Sequence, residues 1–206
     1  MKNLLIVCLC LAASCSALRG FTDAECGVIA SQQGHIMRLW TVADPGDSLF
    51  LRRKAVPLGR EELQSAHFRM LKEGMLATVC DTTDRGVGIA APQVGVSRRL
   101  IAVQRFDKPG EPFCFYVNPE IVWYSQTRLP GSEGCLSIPG VSGSVLRSER
   151  IVVRYLDEES LRMAADTVEG FTAVIFQHEV DHLDGVLFID KMTREVDEED
   201  GEESEA

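Results

Sequence analysis

A chain of 206 residues with 45% hydrophobic content is long enough for one domain with a proper core plus short appendages. The net charge of −10 is uneven: residues 193–206 hold eight acidic residues against Arg194, a local −7 that leaves an ordinary −3 for the remainder. No basic run of the nucleic-acid-binding kind is present, so direct binding to DNA or RNA is not expected.

Residues 1–17 read as an export-like leader. Lys2 supplies a positive start and residues 4–13 form an apolar run of the usual signal-core length, too short to span a bilayer. Ala12-Ala13-Ser14-Cys15 suits cleavage before a lipidated cysteine, and Ser16-Ala17 offers an ordinary cleavage point. The expected location is a bacterial cell envelope, as a periplasmic protein or lipoprotein, with membrane contact only if Cys15 is lipidated; an organelle or the cytoplasm is the alternative. Cys8, Cys10 and Cys15 belong to this stretch, and Cys26, Cys80, Cys114 and Cys135 are too few and scattered for a disulfide framework.

Residues 18–36 are weakly patterned and read as a linker or accessory segment. Asp44-Pro45-Gly46-Asp47 signals a turn, and residues 49–57 read as extended and partly basic. The first strong helix spans about 59–81, with Leu63, Ala66, Met70, Met75 and Val79 as its apolar stripe. Next comes Gly86-Val87-Gly88-Ile89-Ala90-Ala91-Pro92-Gln93-Val94-Gly95. It is a poor dinucleotide loop: Ala91 replaces the third glycine and a helix, not a strand, precedes it. It reads instead as a tightly packed extended segment whose backbone closely approaches something, ending on the polar Gln93.

Strands are expected at 99–105, at 113–124 with a break at Pro119, at 145–156 and at 161–168. The connections are short and show no β-α-β alternation. These features predict an α+β fold, mainly antiparallel sheet packed on two helices. No domain boundary is visible within 37–192, and residues 193–206 form an acidic tail expected to be disordered.

The second helix carries the chemistry. Gln177-His178-Glu179-Val180-Asp181-His182 contains H-E-x-x-H, which on a helix places two imidazoles one turn apart on one face with a carboxylate between them. A catalytic zinc-type site needs a third protein ligand and an open position for water. Continuing the pattern to H-E-x-x-H-x-x-G-x-x-H fails, because Phe188 stands where the third histidine belongs. A downstream glutamate on another helix fails too, since only the acidic tail lies beyond Met192. The ligand must come from upstream, and Glu133-Gly134-Cys135-Leu136-Ser137, in a glycine-rich loop, is the supplier; its Cys135 would bind as thiolate. Asp181 is either a group that orients a ligand or an arginine, or simple surface. Phe171, Val174, Ile175 and His178 share one helix face, with plain core packing as the alternative for Phe171.

The segments 86–93, 133–137 and 177–182 together resemble the three signature motifs of peptide deformylases, in the same order and at similar separations, within a likeness running from about residue 37 to 192. The resemblance implies an α+β fold around a central metal-binding helix and removal of formate from N-formylmethionyl peptides or new proteins. It implies one divalent metal ion on Cys135, His178 and His182, with Fe²⁺ first and Zn²⁺, Ni²⁺ or Co²⁺ as alternatives. Glu179 is then the general base, and Gln93 with the Leu136 backbone N–H the donors to the developing oxyanion. Val87, Gly88, Glu133, Gly134, Val174 and Ile175 are implied to contact substrate. A metallopeptidase, or a non-catalytic formyl-peptide-binding relative, is the competing reading. The acidic tail argues against ribosome docking.

Overall fold

A computed structural model describes residues 20–193 except 33, 34, 82, 84 and 85. The leader and all but the first residue of the acidic tail therefore lie outside the described residues. Among the described residues, five α-helices and seven strands follow in chain order: α1 (Asp23–Gln32), α2 (Pro45–Leu51), α3 (Arg60–Leu63), α4 (Ala66–Val79), β1 (Gly88–Ala90), β2 (Leu100–Gln104), β3 (Phe113–Tyr124), β4 (Arg128–Cys135), β5 (Ile138–Ser148), β6 (Arg150–Leu156), β7 (Met163–Glu169) and α5 (Gly170–Leu183). The expected α+β class with antiparallel sheets is observed. A five-stranded sheet runs in the order β1-β2-β3-β6-β7, and β4 and β5 form a separate two-stranded sheet; every pair is antiparallel.

α5 lies across the large sheet. Ala173, Ile175, Phe176, Val180 and Leu183 pack on Ile101, Val103, Ile151, Val153 and Val168. A second core lies under α4, where Phe68, Leu71, Met75 and Val79 meet Ile89, Leu100 and Ala102. Those four residues, at helical spacing, are the true stripe of α4; Ala66, expected in it, is exposed. A third, smaller core joins Ile138 and Val145 of β5 to Leu187 and Phe188 beyond α5. Burying these side chains contributes about 1.5–3 kcal/mol each. It holds α5 between the large sheet and the hairpin, which is where the functional residues gather.

Several local expectations need correction. The extended reading of 49–57 fails for 49–51, although Val56 does form a β-bridge with Arg98, because Asp44 caps α2, accepting from Gly46 N at 2.8 Å and Asp47 N at 3.0 Å, and Pro45 occupies the first helical turn, where its missing N–H costs nothing. The turn signal was a helix start. The single helix over 59–81 is two, because the Ser65 hydroxyl both donates to Glu62 O at 2.7 Å and accepts from Phe68 N at 3.1 Å, ending one helix and capping the next. The expected strand over 145–156 breaks at Glu149 into β5 and β6. Pro119 does not end β3 but sits where its register with β6 shifts between Val117 and Glu120. The glycine-rich segment at 131–143 is not a loop but most of the β4–β5 hairpin.

The segment 18–36, read as a linker or accessory element, contains α1, which begins with a capping box. Thr22 N donates to Glu25 Oε2 at 2.9 Å and Glu25 N donates to Thr22 Oγ1 at 3.2 Å. Glu25 also reaches the body of the protein. Arg98, whose side chain is 1% exposed, donates from Nε and Nη2 to Glu25, from Nη1 to Glu62 at 3.0 Å and from Nη2 to Gly20 O at 2.8 Å. Its guanidinium also sits 5.3 Å from the centre of the Phe21 ring. One buried cation thus ties the N-terminal segment to α3 and the sheet. Breaking a buried pair by removing one partner costs about 3–5 kcal/mol. Glu25→Ala is therefore expected to lower the free energy of unfolding measured in urea by an amount in that range, while Asp23→Ala, on the exposed side of α1, leaves it nearly unchanged.

Candidate active site

The site forms where β1, the hairpin turn and α5 meet. His178 and His182 lie one turn apart on α5, with ring centres 5.0 Å apart. Cys135 ends β4 and brings its Sγ to 3.2 Å from His182 Nε2. One ligand atom from each of Cys135, His178 and His182 lies within 4.8 Å of the others. The H-E-x-x-H helix and the upstream cysteine do converge.

Glu133 and Arg147 hold this arrangement. Glu133 Oε2 is 2.8 Å from His178 Nδ1. Arg147, on the neighbouring strand β5, donates to both Glu133 oxygens at 2.7 and 2.9 Å and to Asp181 Oδ2 at 2.6 Å. Asp181 in turn accepts from Lys191 at 2.7 Å. Of its two readings, the structure supports the arginine partner. Although Glu133 lines the cavity, its carboxylate is committed to a histidine and an arginine rather than turned to substrate. Burial pushes Glu133 up, but hydrogen bonds from Arg147 and His178 outweigh it and hold the carboxyl at about 2. Arg147 carried no sequence signal: an arginine in a strand reads as solvent-facing until its two carboxylate partners are known.

The donor set fits a divalent cation. Burial, then the His178 charge, holds His182 well below its ordinary value, in the neutral form a ligand requires. Burial opposes charge on His178, but Cys135, Glu133 and Glu179 outweigh it and raise its pKa to about 10. The negative surroundings that hold a proton on this ring would also stabilise a cation that replaces it, with release of that proton. Thiolate and imidazole donors suit Fe²⁺, Zn²⁺ or Co²⁺.

Glu179, 3% exposed, has an Oε2 atom with no hydrogen-bond partner among the described residues. Burial raises its carboxyl to about 7; the His178 charge opposes this and Glu133 adds to it. A carboxylate poised near neutrality with an unused oxygen is suited to taking and returning a proton. Gly88 makes room for it: a Cβ there would fall 2.5 Å from Glu179 Oε1 and 2.7 Å from Ile175 Cγ2. The close approach expected of the 86–93 segment is thus to the glutamate of α5.

Gln93 is fixed at both ends. Its Oε1 accepts from Ala90 N at 2.9 Å, while Nε2 lies 3.5 Å from Cys135 Sγ and 3.3 Å from Ser137 Oγ. Ser137, fully buried, was not anticipated and helps aim that amide. Leu136 follows Cys135 at the hairpin turn. A cavity of about 610 Å³ opens over these groups and is lined by Val87, Gly88, Gln93, Glu133, Gly134, Leu136, Val174, Ile175 and Glu179 among others. Phe171, for which core packing was the alternative, stands at its rim 55% exposed, packed on Phe106 at 5.3 Å.

A buried carboxylate next to one thiol and two imidazole groups able to hold a metal, at the floor of a partly apolar cavity, defines a metallohydrolase type of site on an α+β scaffold. The polypeptide deformylase family model matches residues 36–198. The chain is 46% identical over 158 residues to the peptide deformylase of Symbiobacterium thermophilum, covering 76% of this chain and 69% of that one. It is 44% identical over 158 residues to the peptide deformylase of Thermoanaerobacter pseudethanolicus, covering 77% and 92%. The Met-Ala-Ser-bound crystal structure of the class I type b peptide deformylase from Acinetobacter baumannii superposes with a TM-score of 0.68 at 36% identity, over 77% of this chain and 99% of that one. This chain belongs to the polypeptide deformylase family. The family match begins at residue 36, so α1 lies ahead of it while Arg98 and Glu62, which hold α1 in place, lie within it.

The low Glu133 pKa gives a pH signature. Its folded value, about 2, lies below the ordinary 4.5, so its contribution to stability is fully present above about 4.5 and is lost as pH falls toward about 2. The stability of the wild type to urea is expected to fall more steeply between about pH 5 and pH 3 than that of Glu133→Gln, which starts less stable because Arg147 loses one of its two charged partners. Equal slopes would show that Glu133 is not held ionised by the fold.

Proposed function

We infer that this enzyme hydrolyses the formyl amide of N-formylmethionyl peptides, releasing formate and the free amine. The observation that carries the reading is the buried Glu179, with its unpartnered oxygen, beside the Cys135-His178-His182 cluster in a chain of this family. A metallopeptidase of the downstream-histidine type is disfavoured because Phe188 occupies the position its third ligand would need.

Cys135 Sγ, His178 and His182 would hold one divalent ion, which supplies Lewis acidity at the carbonyl and a lowered pKa for water. Glu179 would take the proton of the attacking water and return it to the departing amine nitrogen. The Gln93 amide, aimed by Ala90 and Ser137, and the Leu136 backbone N–H would donate to the carbonyl oxygen as it gains charge. Val87, Val174 and Ile175 would form the apolar wall for an unbranched methionine side chain. Gly88 and Gly134, both lining the cavity, would let the peptide backbone approach; the peptide-bound Acinetobacter relative supports a peptide occupant. Fe²⁺ is the proposed native ion, to be checked by metal analysis after anaerobic purification.

Removing a general acid–base group costs about 10²–10⁴-fold in rate. Glu179→Ala is expected to lose formate release from formyl-Met-Ala-Ser by at least the lower figure while retaining stoichiometric metal. Near-full activity in that variant would sink the assigned role. Gly88→Ala, whose Cβ needs the space of the Glu179 carboxylate, is expected to lose activity while remaining folded, as read by circular dichroism and the same assay.

A further inference from the structure

Phe188 is a buried aromatic side chain that this reading of the site leaves without a purpose. It is 1% exposed, and its ring stacks on that of His178, with centres 6.1 Å apart and planes at 26°, within the range of offset aromatic stacking. The chain is brought back to this point by several independent contacts. Gly185 turns with φ +75°, and a Cβ there would fall 2.4 Å from Arg52 O. Asp190 accepts from Leu187 N at 2.9 Å and pairs with Arg52. Met192 then bridges to Val145 of β5, so the segment carrying Phe188 is fastened to both α2 and the hairpin.

We propose that Phe188 is a positioning residue for the metal site, its ring fixing the plane of His178; this rests on the metallohydrolase reading above. An imidazole ligand has two freedoms to suppress. The hydrogen bond from Nδ1 to Glu133 fixes the direction of that edge, but leaves the ring able to roll about the line joining the two atoms. A flat wall against one face stops the roll, and the edge of His182 lies on the ring as well. The same wall belongs to the small core that includes Ile138 and borders Cys135, so it also sets the spacing between the cysteine and the helix. Aliphatic side chains fill volume without presenting a plane.

The test compares full-length Phe188→Leu with Val145→Ala, a buried change in the same small core, using Co²⁺ as the probe. Thermal unfolding places both variants on a common stability scale. Loss of support around a ligand typically costs about 10–100-fold in metal affinity, so Phe188→Leu is expected to lose Co²⁺ to EDTA at least about tenfold faster than the wild type, with an altered visible Co²⁺ spectrum. Val145→Ala should keep the wild-type rate and spectrum at similar loss of stability. If the leucine variant fails to accumulate as folded protein, Phe188→Met carries the same comparison. Matching spectra and rates for wild type and Phe188→Leu, or equal changes in both variants, would overturn the positioning role. A wild type that shows no thiolate-to-Co²⁺ absorption would instead overturn the metal-site reading, and this inference with it.

Discussion

The ionic chain His178–Glu133–Arg147–Asp181 is the constraint on which the rest of the site depends. Its members come from α5, β4 and β5, and the side chains of Glu133 and Arg147 are 5% and 4% exposed. Two charges taken out of water at this depth gain little net stability over an apolar pair of the same shape. What they do gain is registration. A hairpin rich in glycine has no apolar alternation of its own to fix its position against a helix, whereas a guanidinium gripping a carboxylate on the hairpin and another on the helix admits one placement. Cys135, two residues from Glu133, is carried into that placement.

Registration of the hairpin then decides what the other elements can do. With Cys135 beside His182, the Gln93 amide has its Nε2 end at the sulfur and its Oε1 end bonded to Ala90, so the orientation of this side chain is determined from both sides. Glu179 is covered on one side by β1, and that close packing requires that position 88 carry no side chain. The apolar wall of Val174 and Ile175 is the continuation of the surface by which α5 packs on the sheet. Core packing and cavity wall are therefore one surface, and the Glu179 carboxylate owes its raised pKa to the same burial that stabilises the fold.

Legibility in the sequence followed the range of the interactions. H-E-x-x-H, the strand at 113–124 and the upstream cysteine were readable because their signals are local spacings or the elimination of alternatives. The capping signals were written in the sequence too: Thr22-x-x-Glu25 starts a helix inside what reads as a linker or accessory segment, and Asp44-Pro45 starts another inside what reads as a turn. Those misses reflect weak helical periodicity in short segments, where capping outweighs pattern. Arg147 and Ser137 were not readable by any local rule. Their roles arise from partners 34 and 44 residues away in the chain, and a polar residue in a strand has no periodicity that distinguishes a buried partner from solvent. The hairpin at 128–148 was obscured for a related reason: glycines placed for close approach look like a loop.

Position 188 shows how the choice of ligand reshapes what surrounds it. In an H-E-x-x-H-x-x-G-x-x-H pattern the chain turns at the glycine and returns a histidine to the metal. Here Gly185 makes the turn and the chain does return, but Cys135 already approaches from the hairpin side, and a residue coming back beneath α5 meets the face of His178 instead. A histidine there would bury an ionisable group between a ligand and an apolar core without a partner, at a cost of several kcal/mol. Phenylalanine satisfies the same backbone path with a ring that needs no hydrogen bond. The sequence departure that removes one class of metallohydrolase is thus also the support on which the other ligand set rests.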